Sequence, residues 1–415
     1  MYKKNNHITI FEHESLKVGR KYNGIEFSES HRSKLENFYG DKGTPYYNLI
    51  HKGILFNEYV GVLHIGNLII EVLPKAYKYG DKNEWRDILI GMLRSVGAFN
   101  VHAPSTSSLK IKTNFILDLY FELFIKEVEY LLNKGLIKKY HKEEGNRLSL
   151  KGRMIFSKHI QQNLIHQERF FVKHTSYDKI HILHQVLYKT ILLLRQINSK
   201  IALNSRIGKL LLDFPEMTDI KITEGLFDRI VLTRKTEEYK NAIEISRLLL
   251  LNYHPDLSNG RNNILAIMFD MNLLWERFIY NSLRKHLPSG KTISSQVSKY
   301  FWKPQNGNRS SIRPDIVFHD RDNSYVLDTK WKNIGDSNPS PDDLRQLYVY
   351  HEYFQASKVA LVYPGKERII SGSYYNPEQL TDPDKTCSII RIPTHTTISK
   401  WQNAICEKVF GEWLG

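Results

Sequence analysis

The chain has 415 residues, 41% hydrophobic and 25% charged, a globular composition too long for one ordinary core and unlike a disordered one. Its 59 Lys and Arg against 44 Asp and Glu leave a formal net charge of +15, which favours polyanionic partners, nucleic acid first and an anionic membrane second. Two cysteines, Cys387 and Cys406, cannot build a disulfide framework or a cysteine zinc site and read as packing residues. No stretch approaches the ~18 apolar residues of a spanning helix, and the N-terminal residues carry no apolar run of signal-peptide length. The expectation is a cytoplasmic protein with no membrane partner.

In chain order, "ITIF" predicts a short strand and "SESHRSKLENFYG" a helix with a serine cap and a glycine stop. "YVGVLHIGNLIIEVLPK" places two β-rich runs about Gly66-Asn67, a two-residue hairpin signal. "NEWRDILIGMLRSVGAF" has helical spacing, with Ile88, Met92 and Val96 on its apolar face. Residues 1–105 therefore read as an α+β module. Residues 106–262 read as mainly helical. "NFILDLYFELFIKEVEYLLNKGL" is a helix stopped at Gly135, and "KKYHKEEGNR" between Lys138 and Arg147 reads as a loop. The segments "LKGRMIFSKHIQQNLI" and "FFVKHTSYDKIHILHQVLYKTILLLRQI" follow, with a strand pair before the second helix. His181 and His184 lie three apart on that helix, but no third ligand stands nearby, so they read as satisfied or exposed histidines.

Residues 263–415 predict a mixed sheet flanked by helices, an α/β arrangement. "ILAIMFDMNLLWERFIYNSLRKHL" reads as one amphipathic helix and "KTISSQVSKYFWK" as strand-like. "PDIVF" and "SYVLDTKWK" are strands, "DDLRQLYVYHEYFQA" a helix, "KVALVYP" and "SIIRIP" strands, and "WQNAICEKVFGEWL" a closing helix.

The two runs of "RPDIVFHDRDNSYVLDTKWK" each carry an acid where a core strand would be apolar. Asp328 and Lys330 share one face of their strand, about 6.6 Å apart. Thr329 points the other way, with its backbone carbonyl able to face the site. Pairing the two strands can bring Asp315 beside Asp328. Two close carboxylates repel, and their burial costs several kcal/mol unless a cation neutralises them. Mg²⁺, which prefers oxygen ligands and keeps several waters, suits such a pair. A lysine beside it can orient the attacking water and stabilise charge developing on a phosphodiester. This is the PD-(D/E)xK pattern of nuclease cores. Glu276 on the preceding helix suits a further carboxylate of the metal shell. Gln346 and Tyr350, four apart on one helical face, suit support of the lysine or the substrate. A DxK triplet alone is weak evidence, because Asp328 and Lys330 can form a simple surface ion pair and Glu276 can pair with Arg277 or Lys285. The order of four polar places in strand and helix context is what carries the reading. "KYFWKPQNGNRSS" interleaves Tyr300, Phe301 and Trp302 with Lys303 and Arg309, which suits DNA contact and equally suits a solvated loop.

"FDMNLLWERFIY", "RPDIVF", "YVLDTKWK" and "DLRQLYVYHEYF" resemble McrC, the nuclease subunit family of McrBC-type modification-dependent restriction systems. "GVLHIGNLIIEVLPK" and "LKGRMIFSKHIQQNLI" resemble the family's upstream segments, so the likeness covers most of the chain. It implies a DNA endonuclease with Asp315 and Asp328 as metal ligands, Lys330 as the catalytic lysine and Glu276 completing the shell. Gln346 and Tyr350 would support the site. It also implies a partner, an AAA+ GTPase motor of McrB type that binds the GTP and that the upstream region docks on and stimulates. No G-x-x-x-x-G-K-[ST] phosphate loop occurs in this chain, in keeping with a GTP pocket supplied elsewhere. Two alternatives remain at this stage: a free-standing Mg²⁺-dependent endonuclease, and a noncatalytic adaptor of an AAA+ partner.

Overall fold

The computed structural model describes residues 6–76, 81–97, 116–198, 200–254, 264–321, 323–332, 334, 337–378 and 380–415. The chain forms two compact units, one from Val101–His254 and the other from Asn5–Asn100 together with Pro255–Gly415. Segments expected to stand as separate N- and C-terminal domains thus belong to one unit. The expected boundaries at 105 and 262 lie outside the described residues.

In the larger unit, strands Tyr59–Ile65 and Leu68–Leu73 pair as the predicted hairpin about Gly66, whose φ of +61° suits the turn. Asn6–Phe11 runs parallel to the second strand, with Ile8 opposite Ile70. Ile264–Asp270 runs antiparallel to the first. The segment "ILAIMFD", read above as the start of a helix, is therefore a strand. Periodicity does not separate a short, continuously apolar strand from a buried helical turn, and pairing with Tyr59–Ile65 decides it. Gly61 permits that pairing: a Cβ there would lie 2.1 Å from the Ile267 carbonyl oxygen. The helix begins only at Met271, capped by Asp270, whose Oδ1 accepts from the amides of Asn272 (2.8 Å) and Leu273 (3.1 Å).

The other N-terminal helices form as expected. Ser28 caps Glu29–Tyr39 and Gly40 ends it, while Lys82–Ser95 is held to the sheet by a buried ion pair. There Arg86 donates from Nη2 to Glu71 Oε2 at 2.6 Å and from Nε to Oε1 at 2.9 Å.

A six-stranded mixed sheet supplies the expected C-terminal architecture. Its order is Lys291–Ser295, Ile316–Asp320, Asn323–Thr329, Ala356–Pro364, Thr381–Ile392 and Arg368–Tyr375. The central pairs, Asn323–Thr329 with Ala356–Pro364 and the latter with Thr381–Ile392, are parallel. The helix Pro341–Phe354 forms the crossover between the first two, as a parallel connection requires. The strand Arg368–Tyr375 was not foreseen, because "RIISGSYY" carries polar residues and a glycine at this sheet edge. "KTISSQVSKYFWK" splits in two: Gln296 adopts a left-handed φ of +56°, ending one strand. Lys299–Trp302 then pairs with Ser310–Ile312 as a separate two-stranded hairpin.

Behind the sheet, Trp275 packs on Trp331 and Trp401 with ring centroids 5.3 and 5.6 Å apart. Trp331 also ties this region to the first strand, its Nε1 donating to Glu12 Oε1 at 2.8 Å.

The smaller unit holds the helices Ile116–Lys134, Ile182–Ile197, Ile201–Asp213 and Lys240–Leu251. The strand pair expected ahead of Ile182–Ile197 is present as Arg153–Met154 with Phe170–Asp178, and Lys139–Arg147 adds a third strand to this antiparallel sheet. The stretch read above as a loop is thus a nine-residue strand. Its inward positions are Lys139, His141, Glu143 and Gly145, so it shows no apolar alternation. His184 is satisfied as expected, bonding through Nδ1 to the Lys179 carbonyl at 2.6 Å and through Nε2 to the Tyr239 hydroxyl at 3.0 Å.

Candidate active site

The register of the two motif strands decides where the acids go. Ile316 faces Leu327 across an antiparallel pair, so Asp315, one residue before its strand, comes opposite Asp328. The apolar residues beside them, Val317, Val326 and Leu327, are fully buried and hold both strands in the sheet. Asp328 itself is 1% exposed. Burial raises its pKa to about 7, with the Asp315 charge adding to the effect and Lys330 opposing it. Asp315 is raised for the same first reason, against the hydrogen bonds it accepts.

Lys330 Nζ lies 2.8 Å from Asp328 Oδ2. Burial disfavours its ammonium, but Asp328, Asp315 and Asp343 outweigh that and hold its pKa above the usual lysine range. The same Nζ donates to Gln346 Oε1 at 3.4 Å. Gln346 in turn donates from Nε2 to the Tyr350 hydroxyl at 2.7 Å, and Tyr350 donates to the Arg313 carbonyl at 3.2 Å. A relay thus runs from the lysine back to the chain just before Asp315. Four-residue spacing on the crossover helix puts both side chains in it.

Glu276 is 9% exposed, and its pKa is raised by burial and then by Asp315. Its Oε1 accepts from Gln296 Nε2 at 2.5 Å. The Gln296 amide also donates to the Asp315 carbonyl at 3.0 Å, so this residue links the helix acid to the strand acid. Thr329 does not turn away from the acids as expected. Its amide and its hydroxyl both donate to Asp315 Oδ2, at 2.7 and 2.8 Å, because Asp315 lies beyond the end of the regular ladder.

These acids fit a hard divalent cation: carboxylates of raised pKa, buried at Asp328 and half-buried at Asp315, face one another with more desolvation and mutual repulsion than the Lys330 ammonium offsets. They do not close into a ready-made cage. Among the described residues, the set of three His, Cys, Asp or Glu ligand atoms within 4.8 Å of one another is His141, Glu143 and Asp178, in the smaller unit. An ion such as Mg²⁺, which keeps several waters, needs no such cage.

The family model for the McrBC 5-methylcytosine restriction system component matches residues 54–364, about three quarters of the chain. The chain belongs to this family. No curated protein matches this chain. Among solved structures it is similar to a chain in the half-complex of a tetradecameric assembly of Thermococcus gammatolerans McrB AAA+ hexamers with bound McrC. That likeness has a TM-score of 0.74 at 21% identity and covers 98% of this chain and 100% of that one. A chain in the cryo-EM structure of the Thermococcus gammatolerans McrBC complex is similar at a TM-score of 0.51 and 20% identity, over 68% of this chain and 89% of that one. This chain therefore has the mixed α/β fold of the chain it resembles in that assembly.

Sequence reasoning missed Gln296 and the ion pair Lys332–Asp343, whose Nζ and Oδ2 lie 2.7 Å apart beside the site. A polar residue directly after a short strand is the only sequence trace of Gln296. The hairpin Lys299–Trp302 with Ser310–Ile312 exposes Tyr300, Phe301 and Trp302 at 69, 46 and 59%. The Arg309 guanidinium stacks over Tyr300, 4.9 Å from the ring centroid, and the chain runs from this hairpin through Arg313 into Asp315.

Proposed function

We propose that this chain is the DNA-cleaving subunit of a GTP-dependent, modification-dependent restriction system. In this reading it acts as a Mg²⁺-dependent endonuclease of PD-(D/E)xK type in the cytoplasm. The observation that carries it is the convergence of Asp315, Asp328 and Lys330 through strand register at a buried place in the mixed sheet.

Asp315 and Asp328, with Glu276 and the Thr329 carbonyl, would hold Mg²⁺, which when bound supplies charge for the transferring phosphate and lowers the pKa of water. The chain's own groups do the rest. Lys330, fixed between Asp328 and Gln346, presents an ammonium to the scissile phosphate and stabilises its developing negative charge. Gln346 and Tyr350 hold that ammonium in place. Gln296 keeps Glu276 and the Asp315 backbone together. Arg309 on the adjoining hairpin would contact the phosphates of double-stranded DNA, in keeping with the net charge of +15, and the exposed aromatics beside it would stack on any base unpaired there.

The partner in this reading is an AAA+ GTPase of McrB type. The support is family membership together with the likeness to a chain of the assembly in which McrB AAA+ hexamers carry bound McrC. Among the described residues no helix is long and apolar enough to cross a membrane.

The test is cleavage of methylated DNA by the purified chain with Mg²⁺, with and without the motor and GTP. Cutting only with motor and GTP supports the full proposal. Cutting by the chain alone supports a free-standing enzyme. Stimulated GTPase without cutting under either condition would reduce the chain to an adaptor.

A further inference from the structure

The strands Lys139–Arg147 and Phe170–Asp178 of the smaller unit pair over nine residues without an apolar face along the first of them. Their register sets Glu143 opposite His174, His141 opposite Ser176 and Lys139 opposite Asp178. Side chains alternate, so His141, Glu143, His174 and Asp178 share one face. Glu143 Oε1 lies 2.8 Å from His141 Nε2, and Asp178 Oδ1 lies 3.6 Å from His141 Nδ1. One ligand atom from each of these three residues lies within 4.8 Å of the others. His174 is 5% exposed; its Nε2 stands 3.3 Å from Glu143 Oε2 and its Nδ1 has no hydrogen-bond partner. Arg147 donates to Glu143 Oε2 at 2.7 Å, so Oε1 is the oxygen left facing His141.

We propose that His141, Glu143, Asp178 and the buried His174 bind one divalent transition-metal ion of the zinc class, as a structural clamp across this strand pair. Four ligands at zinc bond lengths of about 2.0–2.2 Å stand roughly 3.3–3.6 Å apart, so the ligand atoms of His141, Glu143 and Asp178, now within 4.8 Å of one another, draw together by about 1.5 Å at most, and His174 joins them from beside Glu143. Two imidazoles with two carboxylates select zinc, nickel or copper over magnesium, which separates this ligand set from the all-oxygen set at Asp315 and Asp328. The clamp meets a physical need. A strand pair with little apolar burial is marginal in water, and a metal contributes folding free energy directly.

The test uses the full chain carrying Asp328→Ala, so that the acids of the larger unit do not hold the probe. After exposure to Zn²⁺ and desalting, elemental analysis is expected to find one zinc per chain, and Zn²⁺ is expected to raise Tm. Adding His141→Ala or His174→Ala should remove both effects. Absence of retained zinc, or equal retention by these variants, would overturn the proposal. Should those variants misfold, Co²⁺ added to the Asp328→Ala chain decides. A four-coordinate visible spectrum supports the site, and the weak spectrum of hydrated Co²⁺ refutes it.

Discussion

Two antiparallel strand pairs of this protein carry charged groups inward, and they treat them in opposite ways. In the larger unit, Asp328 sits between apolar strands and its pKa is pushed up to about 7, by burial first and Asp315 second. In the smaller unit, Glu143 is 30% exposed and its hydrogen bond from His141 outweighs burial, which holds its pKa below the usual carboxylate range. The first pair is held by its hydrophobic neighbours in spite of its acids. The second has few such neighbours, and its polar groups compensate one another. In the proposed reading, the acid that the fold keeps buried at a cost to itself suits the reactive place, and the acid already compensated by His141 suits a structural one.

The largest expected effect lies in the first pair. Asp328→Ala or Lys330→Ala should lower DNA cleavage by at least about 10²–10³-fold, measured with motor and GTP present, while leaving GTPase stimulation intact. Cleavage within a few-fold of wild type would remove the site assignment. Gln346→Ala and Tyr350→Phe act through the lysine rather than on the phosphate, so a loss of about 10–100-fold is expected. The Tyr350 change should be the milder, since Gln346 still accepts from Lys330.

A third effect follows from the titration of Asp328. Mg²⁺ must displace its proton, so affinity for Mg²⁺ should rise up to about tenfold per pH unit towards pH 7 and level off above it. Calorimetric titration at several pH values checks this, and a flat profile would argue against Asp328 as a ligand.

The smallest effects are in stability without divalent ions, and they should differ in sign between the two pairs. A raised pKa in the folded state means that the Asp328 contribution is present at low pH and is lost as pH rises through about 7. Asp328→Asn should therefore raise Tm at pH 8 and change it little at pH 4. For Glu143 the pKa is lowered, so its contribution is present above the ordinary carboxylate range and lost on acidification. Glu143→Gln should lower Tm slightly at pH 8, the stability lost being below about 1 kcal/mol for so exposed a group. Thermal melts of the two variants at both pH values would show the opposition or its absence.

The same contrast explains what the sequence made legible. Asp315, Asp328 and Lys330 stand out because they interrupt strands that are otherwise apolar, and Gln346 and Tyr350 because helical spacing pairs them. The hairpin about Gly66 and the capped helix after Ser28 follow from local turn and cap chemistry. The strand Lys139–Arg147 was hidden because its inward positions are Lys139, His141, Glu143 and Gly145, which leave no apolar alternation to read. Ile264–Asp270 was hidden for the opposite reason: an unbroken apolar run has no period, and its partner at Tyr59–Ile65 lies some two hundred residues earlier. Gln296 needed its left-handed backbone, and Thr329 its position past the ladder's end, before either could be placed on the acids. Long-range pairing, in each case, supplied what local pattern lacks.

The central claim, that the acids of the two motif strands share a cation beside Lys330, is tested most directly by Fe²⁺-directed oxidative cleavage of the polypeptide with ascorbate and peroxide. Fe²⁺ held in place of Mg²⁺ should cut the backbone near residues 315 and 328, and both cuts should vanish with Asp328→Ala or excess Mg²⁺. An intact chain in this region, or cuts indifferent to that substitution, would contradict the account.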